Sequence, residues 1–157
     1  MPNFQELIDA YVNGSTIVRT NVAGLSREQL LARPIAGKWS TLECVAHLAD
    51  FEPVHADRMK RIIALDRPLL LDADERLFSA ELGYQNRDIE EELAVIEGTR
   101  LQLGRLLKTL APDTANRVGI HSYRGLMTLE AVLQNAVNHL PHHAKFIEEK
   151  RRALSIR

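Results

Sequence analysis

The chain has 157 residues, 45% of them hydrophobic and 26% charged, with 8 Gly and 6 Pro. Those values fit one globular domain over 1–157 and exclude a disordered, collagenous or coiled-coil chain. A net charge of −1 with 5% aromatic residues removes the electrostatic and base-stacking case for nucleic-acid binding.

The first helical pattern runs from about Asn3 to Val22, with Phe4, Leu7, Ile8, Tyr11, Ile17 and Val18 on one stripe and Gly14 weakening it locally. A short helical turn opens at Ser26 and ends by Pro34. Ser40-Thr41-Leu42-Glu43 fits a capping box, in which Ser40 satisfies an orphan N–H and Glu43 reaches back. The second long helix continues through Val45, Ala49, Met59 and Ile62, with a kink expected at Pro53. Residues from about Asp66 to Arg87 read as a long connection, of the kind that is functional or crosses a bundle end. Asp88-Ile89-Glu90-Glu91 offers a further capping box, leading into Leu93, Ile96, Leu103 and Leu107 before Pro112 stops the helix. A fourth helix starts near Thr128 and carries Leu129, Val132, Leu133, Ala136, Leu140 and Ile147. Only Val118–Tyr123 reads as strand. Four antiparallel helices with one long crossover bury these stripes most simply, so the expected fold is an all-α four-helix bundle.

No apolar run approaches the roughly 20 residues that span a bilayer. The opening MPNFQELIDAY lacks the blocks of a secretory signal, so the expectation is a cytoplasmic protein with no membrane partner. The one cysteine, Cys44, excludes an intrachain disulfide and a thiolate-only metal cluster, which leaves the 6 His as the metal-ligand candidates. His139 and His143 lie one helical turn apart, about 6 Å of rise and about 40° of rotation, so both can approach one ion. A helical pair of this kind also occurs as ordinary core or surface histidine, and the pair alone does not decide. Pro141 lies between them, and the helix either bends there or breaks and restarts. His142 points about 100° away from His143, toward solvent or a neighbouring helix. His47 is a third candidate, whereas His55, about 12 Å further along the axis, does not readily share an ion with it.

Gly37-Lys38-Trp39-Ser40-Thr41-Leu42-Glu43-Cys44-Val45-Ala46-His47-Leu48-Ala49-Asp50, then Gly125-Leu126-Met127-Thr128-Leu129-Glu130 and Asn138-His139-Leu140-Pro141-His142-His143-Ala144-Lys145-Phe146-Ile147, follow one another along the chain. Together they resemble the DinB-like superfamily of metal-binding four-helix bundles, in order and spacing over nearly the whole chain. The resemblance implies a three-histidine site of His47, His139 and His143 binding one divalent ion, zinc or nickel, and a homodimer. Pro141 departs from the family pattern. Three imidazoles leave a coordination position for water or substrate. The family-level expectation is therefore a metal-dependent enzyme, such as a thiol S-transferase or related hydrolase, acting on a small thiol and an electrophilic substrate. The alternative is a non-enzymatic metal-binding stress-response protein whose ion is structural. No catalytic group beyond these ligands is assignable from sequence.

Weaker candidates surround this set. Asp50 could orient a ligand or remain an exposed helix carboxylate, and Cys44 fits a small buried hydrophobe better than a site residue. Trp39 is expected at the entrance to the second helix. His121 and Tyr123 are expected in a loop near the bundle's open end, and Glu52 and Arg58 are spaced too far apart for a direct intrahelical pair.

Overall fold

Side-chain caps set the helix starts. The computed structural model, which describes residues 3–156, begins with α1 (Phe4–Asn13), held by a reciprocal Asn3–Glu6 box. Gly14–Thr16 tightens into a 3₁₀ turn before α2 (Ile17–Val22), so the first expected helix is divided where Gly14 weakens it. Packing explains the glycine: a Cβ at Gly14 would lie 2.9 Å from Nη1 of Arg100. Ser26 opens the short α3 (Arg27–Leu31) through a box with Gln29. The Ser40–Glu43 box opens α4 (Thr41–Ala64) as expected, and Arg33 adds two hydrogen bonds to the Glu43 carboxylate.

The long connection has structure of its own. It contains β1 (Leu69–Leu70), α5 (Glu75–Glu81) and a 3₁₀ turn at Tyr84–Asn86. Asp88 then caps α6 (Ile89–Leu107) by accepting from the N–H groups of Glu90 and Glu91. The reciprocal bond expected from Glu91 is absent among the described residues, and the Asp88 carboxylate alone caps the first turn through two donors. After a 3₁₀ turn at Pro112–Asn116 come β2 (Val118–His121), β3 (Gly125–Thr128) and α7 (Leu129–Ala153), the last capped by Thr128.

The architecture is an all-α four-helix bundle, in which α1–α2, α4, α6 and α7 are the long members. A small sheet in the order β1-β2-β3 accompanies it, with β1 parallel to β2 and β2 antiparallel to β3. Pairing of His121 with Gly125 makes a tight β2–β3 turn. The helical pattern of α4 continues through Pro53 and that of α7 through Pro141. Pro53 is exposed and Pro141 half-buried, so neither ring is wedged into the core.

Two apolar clusters fill the interior. Leu7, Met59, Leu103 and Leu133 belong to one, and Val18, Leu48, Ile96 and Leu140 to the other. A fully buried ion pair, Arg100–Glu52, ties the bundle together. Arg100 donates from Nε and Nη2 to Glu52 (3.0 and 2.8 Å), from Nη1 to the Tyr11 carbonyl (3.1 Å), and from Nη2 to the Ala136 carbonyl (2.6 Å). The Tyr11 hydroxyl completes the layer by donating to Glu52 at 3.3 Å. Residues from α1, α4, α6 and α7 thus share one hydrogen-bond network. Glu52 and Arg58 do not pair, since Arg58 instead donates twice to the Leu71 carbonyl.

Candidate metal centre

The register of α4 is fixed at Ser40, and two turns later it delivers His47 to the interior, where the side chain is fully buried. Unbroken α7 keeps His139 and His143 one turn apart on the side that faces α4. The break considered at Pro141 does not occur. The three imidazoles converge: one ring nitrogen from each of His47, His139 and His143 lies within 4.8 Å of the others. Nε2 of His47 stands 3.0 Å from Nε2 of His139. Ring centroids are 5.0 Å apart for His47–His139, 4.7 Å for His47–His143 and 4.9 Å for His139–His143.

Aromatic walls hold this cluster in place. Trp39 packs 5.2 Å from the His47 ring and Phe51 packs 4.5 Å from it. Burial lowers the pKa of all three rings, to about 4 for His47, about 2 for His139 and about 3 for His143. For His139 the neighbouring histidines add to that effect, and for His143 the closest contributor is His47. The rings are therefore neutral near pH 7, which is the form that offers a lone pair to a metal.

The cluster lies on the wall of a cavity of about 680 Å3. His55 lines the same cavity, its ring 5.4 Å from His139, but it stands outside the three-histidine group. Cys44 is buried as expected and also reaches the cavity, its Sγ 3.5 Å from Nζ of Lys150. His142 is exposed. His121 is not a loop residue: it ends β2, is buried, and accepts at Nδ1 from the backbone N–H groups of Tyr123 and Arg124. Tyr123 projects into solvent. Asp50 does not orient a histidine, and its two oxygens instead take Arg87 at 3.0 Å each.

Sequence reasoning did not single out Arg124 or Lys150 among the cavity residues. A surface-type cation on a helix or turn has no local signal for what it will face once the chain folds.

A family model of the DinB superfamily matches residues 16–147. The chain belongs to that superfamily. As a DinB-superfamily protein it is 28% identical over 131 residues to a protein of Oceanobacillus iheyensis provisionally named a metal-dependent hydrolase. That alignment covers 83% of this chain and 76% of the relative. Among solved structures, YfiT from Bacillus subtilis matches with a TM-score of 0.90 at 24% identity, over 98% of this chain and 89% of its own. YfiT is described as having an unusual four-helix-bundle topology and is provisionally assigned as a metal-dependent hydrolase. A second four-helix bundle, TT2238, matches with a TM-score of 0.66 at 19% identity, over 94% of this chain and 99% of its own.

The donor set of this DinB-superfamily chain fits a divalent ion. Two nitrogens bound tetrahedrally at roughly 2.0–2.1 Å lie about 3.3 Å apart, close to the 3.0 Å between the His47 and His139 Nε2 atoms. Nδ1 of His47, His139 and His143 is buried with no hydrogen-bond partner among the described residues. An ion held through Nε2 would leave those Nδ1 atoms to other partners, and the fit rests on the close approach of the ring nitrogens themselves. Nitrogen donors of this kind suit zinc and nickel better than calcium or magnesium.

Proposed function

We propose that this chain is a metal-dependent enzyme in which His47, His139 and His143 hold one divalent ion, zinc or nickel, and activate a small nucleophile. The observation that carries this reading is the convergence of three neutral imidazoles on the wall of a substrate-sized cavity. When bound, the ion would supply Lewis acidity and lower the pKa of a water or thiol at its open position. Water as nucleophile gives hydrolysis, in keeping with the names of the relatives. A small thiol attacking an electrophile gives S-transfer, the finer reading that the family resemblance suggests.

The chain's own residues would bind and shield. Trp39 and Phe51 cover the His47 ring and limit water access to it. Burial keeps the rings from protonating and so keeps their lone pairs free. The carboxylates of Asp72, Glu75 and Glu149 also line the cavity and are the acidic groups there able to accept a proton. A purely structural ion is less well served, because structural zinc sites are closed by four protein ligands, whereas this cluster offers three beside a cavity. The homodimer and the cytoplasmic setting belong to the same proposal, and sedimentation of the purified protein tests the first.

Elemental mass spectrometry on untagged protein is the direct test, with His47→Ala, His139→Ala and His143→Ala alongside. About one ion per chain, lost in each variant, is the expected result for a shared three-ligand site. The loaded protein is then assayed with esters and amides, and with cellular thiols plus an electrophile. Metal content unchanged in all three variants would refute the ligand assignment. Stoichiometric metal without turnover on any substrate would favour a structural ion.

A further inference from the structure

We propose that Arg58 and Arg124 form an anion clamp at one end of the cavity, so that the substrate carries a carboxylate or phosphate beside its reacting group. The inference rests on the reading above, in which the three-histidine cluster is the reaction centre.

Arg58 projects from α4 one turn after His55, and Arg124 from the β2–β3 turn; both line the cavity. Arg58 donates from Nε and Nη2 to the Leu71 carbonyl at 3.2 and 2.6 Å. Those bonds fix the guanidinium plane, and Nη1 has no partner among the described residues. The Arg124 backbone is pinned by its N–H bond to Nδ1 of His121, at 3.3 Å. Its guanidinium makes no hydrogen bond or ion pair among the described residues.

Cationic groups gather at this end. Asp72 and, more weakly, Asp57 are the carboxylates that act on Arg58, and Asp72 is also shared with His121, whose Nε2 lies 3.7 Å from Oδ1. Arg58 and Arg124 repel one another, and each also lowers the pKa of His55 and His121. His55 is nine-tenths buried, and its Nδ1 has no partner among the described residues. Two guanidiniums and the His55 ring thus line this part of the cavity, with Asp72 the carboxylate that acts most strongly on Arg58. An oxyanion matches that donor set, and guanidinium forks are suited to carboxylate and phosphate. The His55 ring lies 5.4 Å from the His139 ring, so a bound anion sits one side chain away from the histidine cluster. Trp39, Phe51, Met127 and Val132 supply apolar wall for the uncharged part of the molecule.

The test uses the metal-free 157-residue chain and three probes of similar size: benzoate, phenyl phosphate and neutral benzamide. Saturation-transfer NMR titrations read each affinity. The expected result is at least about tenfold tighter binding of one anion than of benzamide, the loss expected for a charged hydrogen bond. That preference should vanish in Arg124→Gln, whose side chain supports no fold contact, and in Arg58→Gln, and should partly return in Arg58→Lys. Preference for phenyl phosphate over benzoate supports the clamp with phosphate as its anion, and the reverse supports it with carboxylate. Equal binding of all three probes, or a preference that survives both glutamine variants, overturns it. Because no metal is present, anion selectivity in a protein that binds no zinc sinks the metal reading and leaves the clamp standing. Zinc binding without anion selectivity does the opposite.

Discussion

Replacing Arg100 with methionine removes the guanidinium that joins four bundle helices while filling much of its volume. Among the described residues Glu52 would keep only the Tyr11 hydroxyl, 3.3 Å away, and the Tyr11 and Ala136 carbonyls would lose the Arg100 donors. Both members of the pair are fully buried, so the remaining carboxylate cannot recover its hydration. Breaking such a pair from one side costs about 3–5 kcal/mol, a large share of the roughly 5–15 kcal/mol that holds a domain together. At about 2–4 °C per kcal/mol for a chain of this size, melting should fall by about 6–20 °C. The assay is urea and thermal unfolding of metal-free protein at pH 7. A matching Glu52→Leu, Arg100→Met double variant should recover most of the loss, since an apolar pair leaves no orphan charge. A cost below about 1 kcal/mol for Arg100→Met, or a double variant less stable than the single, would refute the reasoning.

Adding zinc at 100 times its Kd should raise the stability of the wild-type chain by about 2.7 kcal/mol, read as a melting shift, and should leave His47→Ala unmoved. The pKa values of His47, His55, His139 and His143 are held well below the usual histidine value by burial. The unfolded chain therefore binds protons that the folded chain refuses. Their contribution is complete above about pH 6.5 and is lost progressively as pH falls toward those lowered values, each histidine adding a slope of up to about 1.4 kcal/mol per pH unit. Urea unfolding of metal-free protein from pH 8 to pH 5 checks the sign, and a rise in stability on acidification would contradict it. At Gly104 an added Cβ would overlap Val12 Cγ2, so Gly104→Ala should destabilise the α1–α6 contact by about 1–3 kcal/mol despite its better helix propensity; a more stable variant in a thermal melt would show that the helices simply move apart.

Helix starts were legible at Ser26, Ser40 and Thr128, short polar side chains ahead of apolar residues, but a similar cap at Asp74, which opens α5, lay inside the expected connection. Capping is a contact between residues two or three apart, so its signal is written locally. The histidine spacing was legible for the same reason. The sheet was less so, because β1 contributes two residues and β3 runs straight into α7, leaving little alternation to read. Its pairing joins Leu69 to Ile120 across some fifty residues of chain, and such pairing has no local imprint. The Asp88 box formed only in part, and Asp50 found Arg87 rather than a histidine, a partner that only the fold brings near.

The sequence by itself determined which long segments are helical, which faces turn inward, and that His139 and His143 lie one turn apart wherever the helix runs on through Pro141. Those properties follow from backbone geometry and from the preference of apolar side chains for burial. Tertiary structure alone decided that His47 meets them, that Arg100 finds Glu52 across 48 positions of chain, and that Arg58 and Arg124 stand at one end of the same cavity. A charge or a ring nitrogen is satisfied by whatever the packed helices bring within about 3 Å, and that partner is chosen by the fold as a whole.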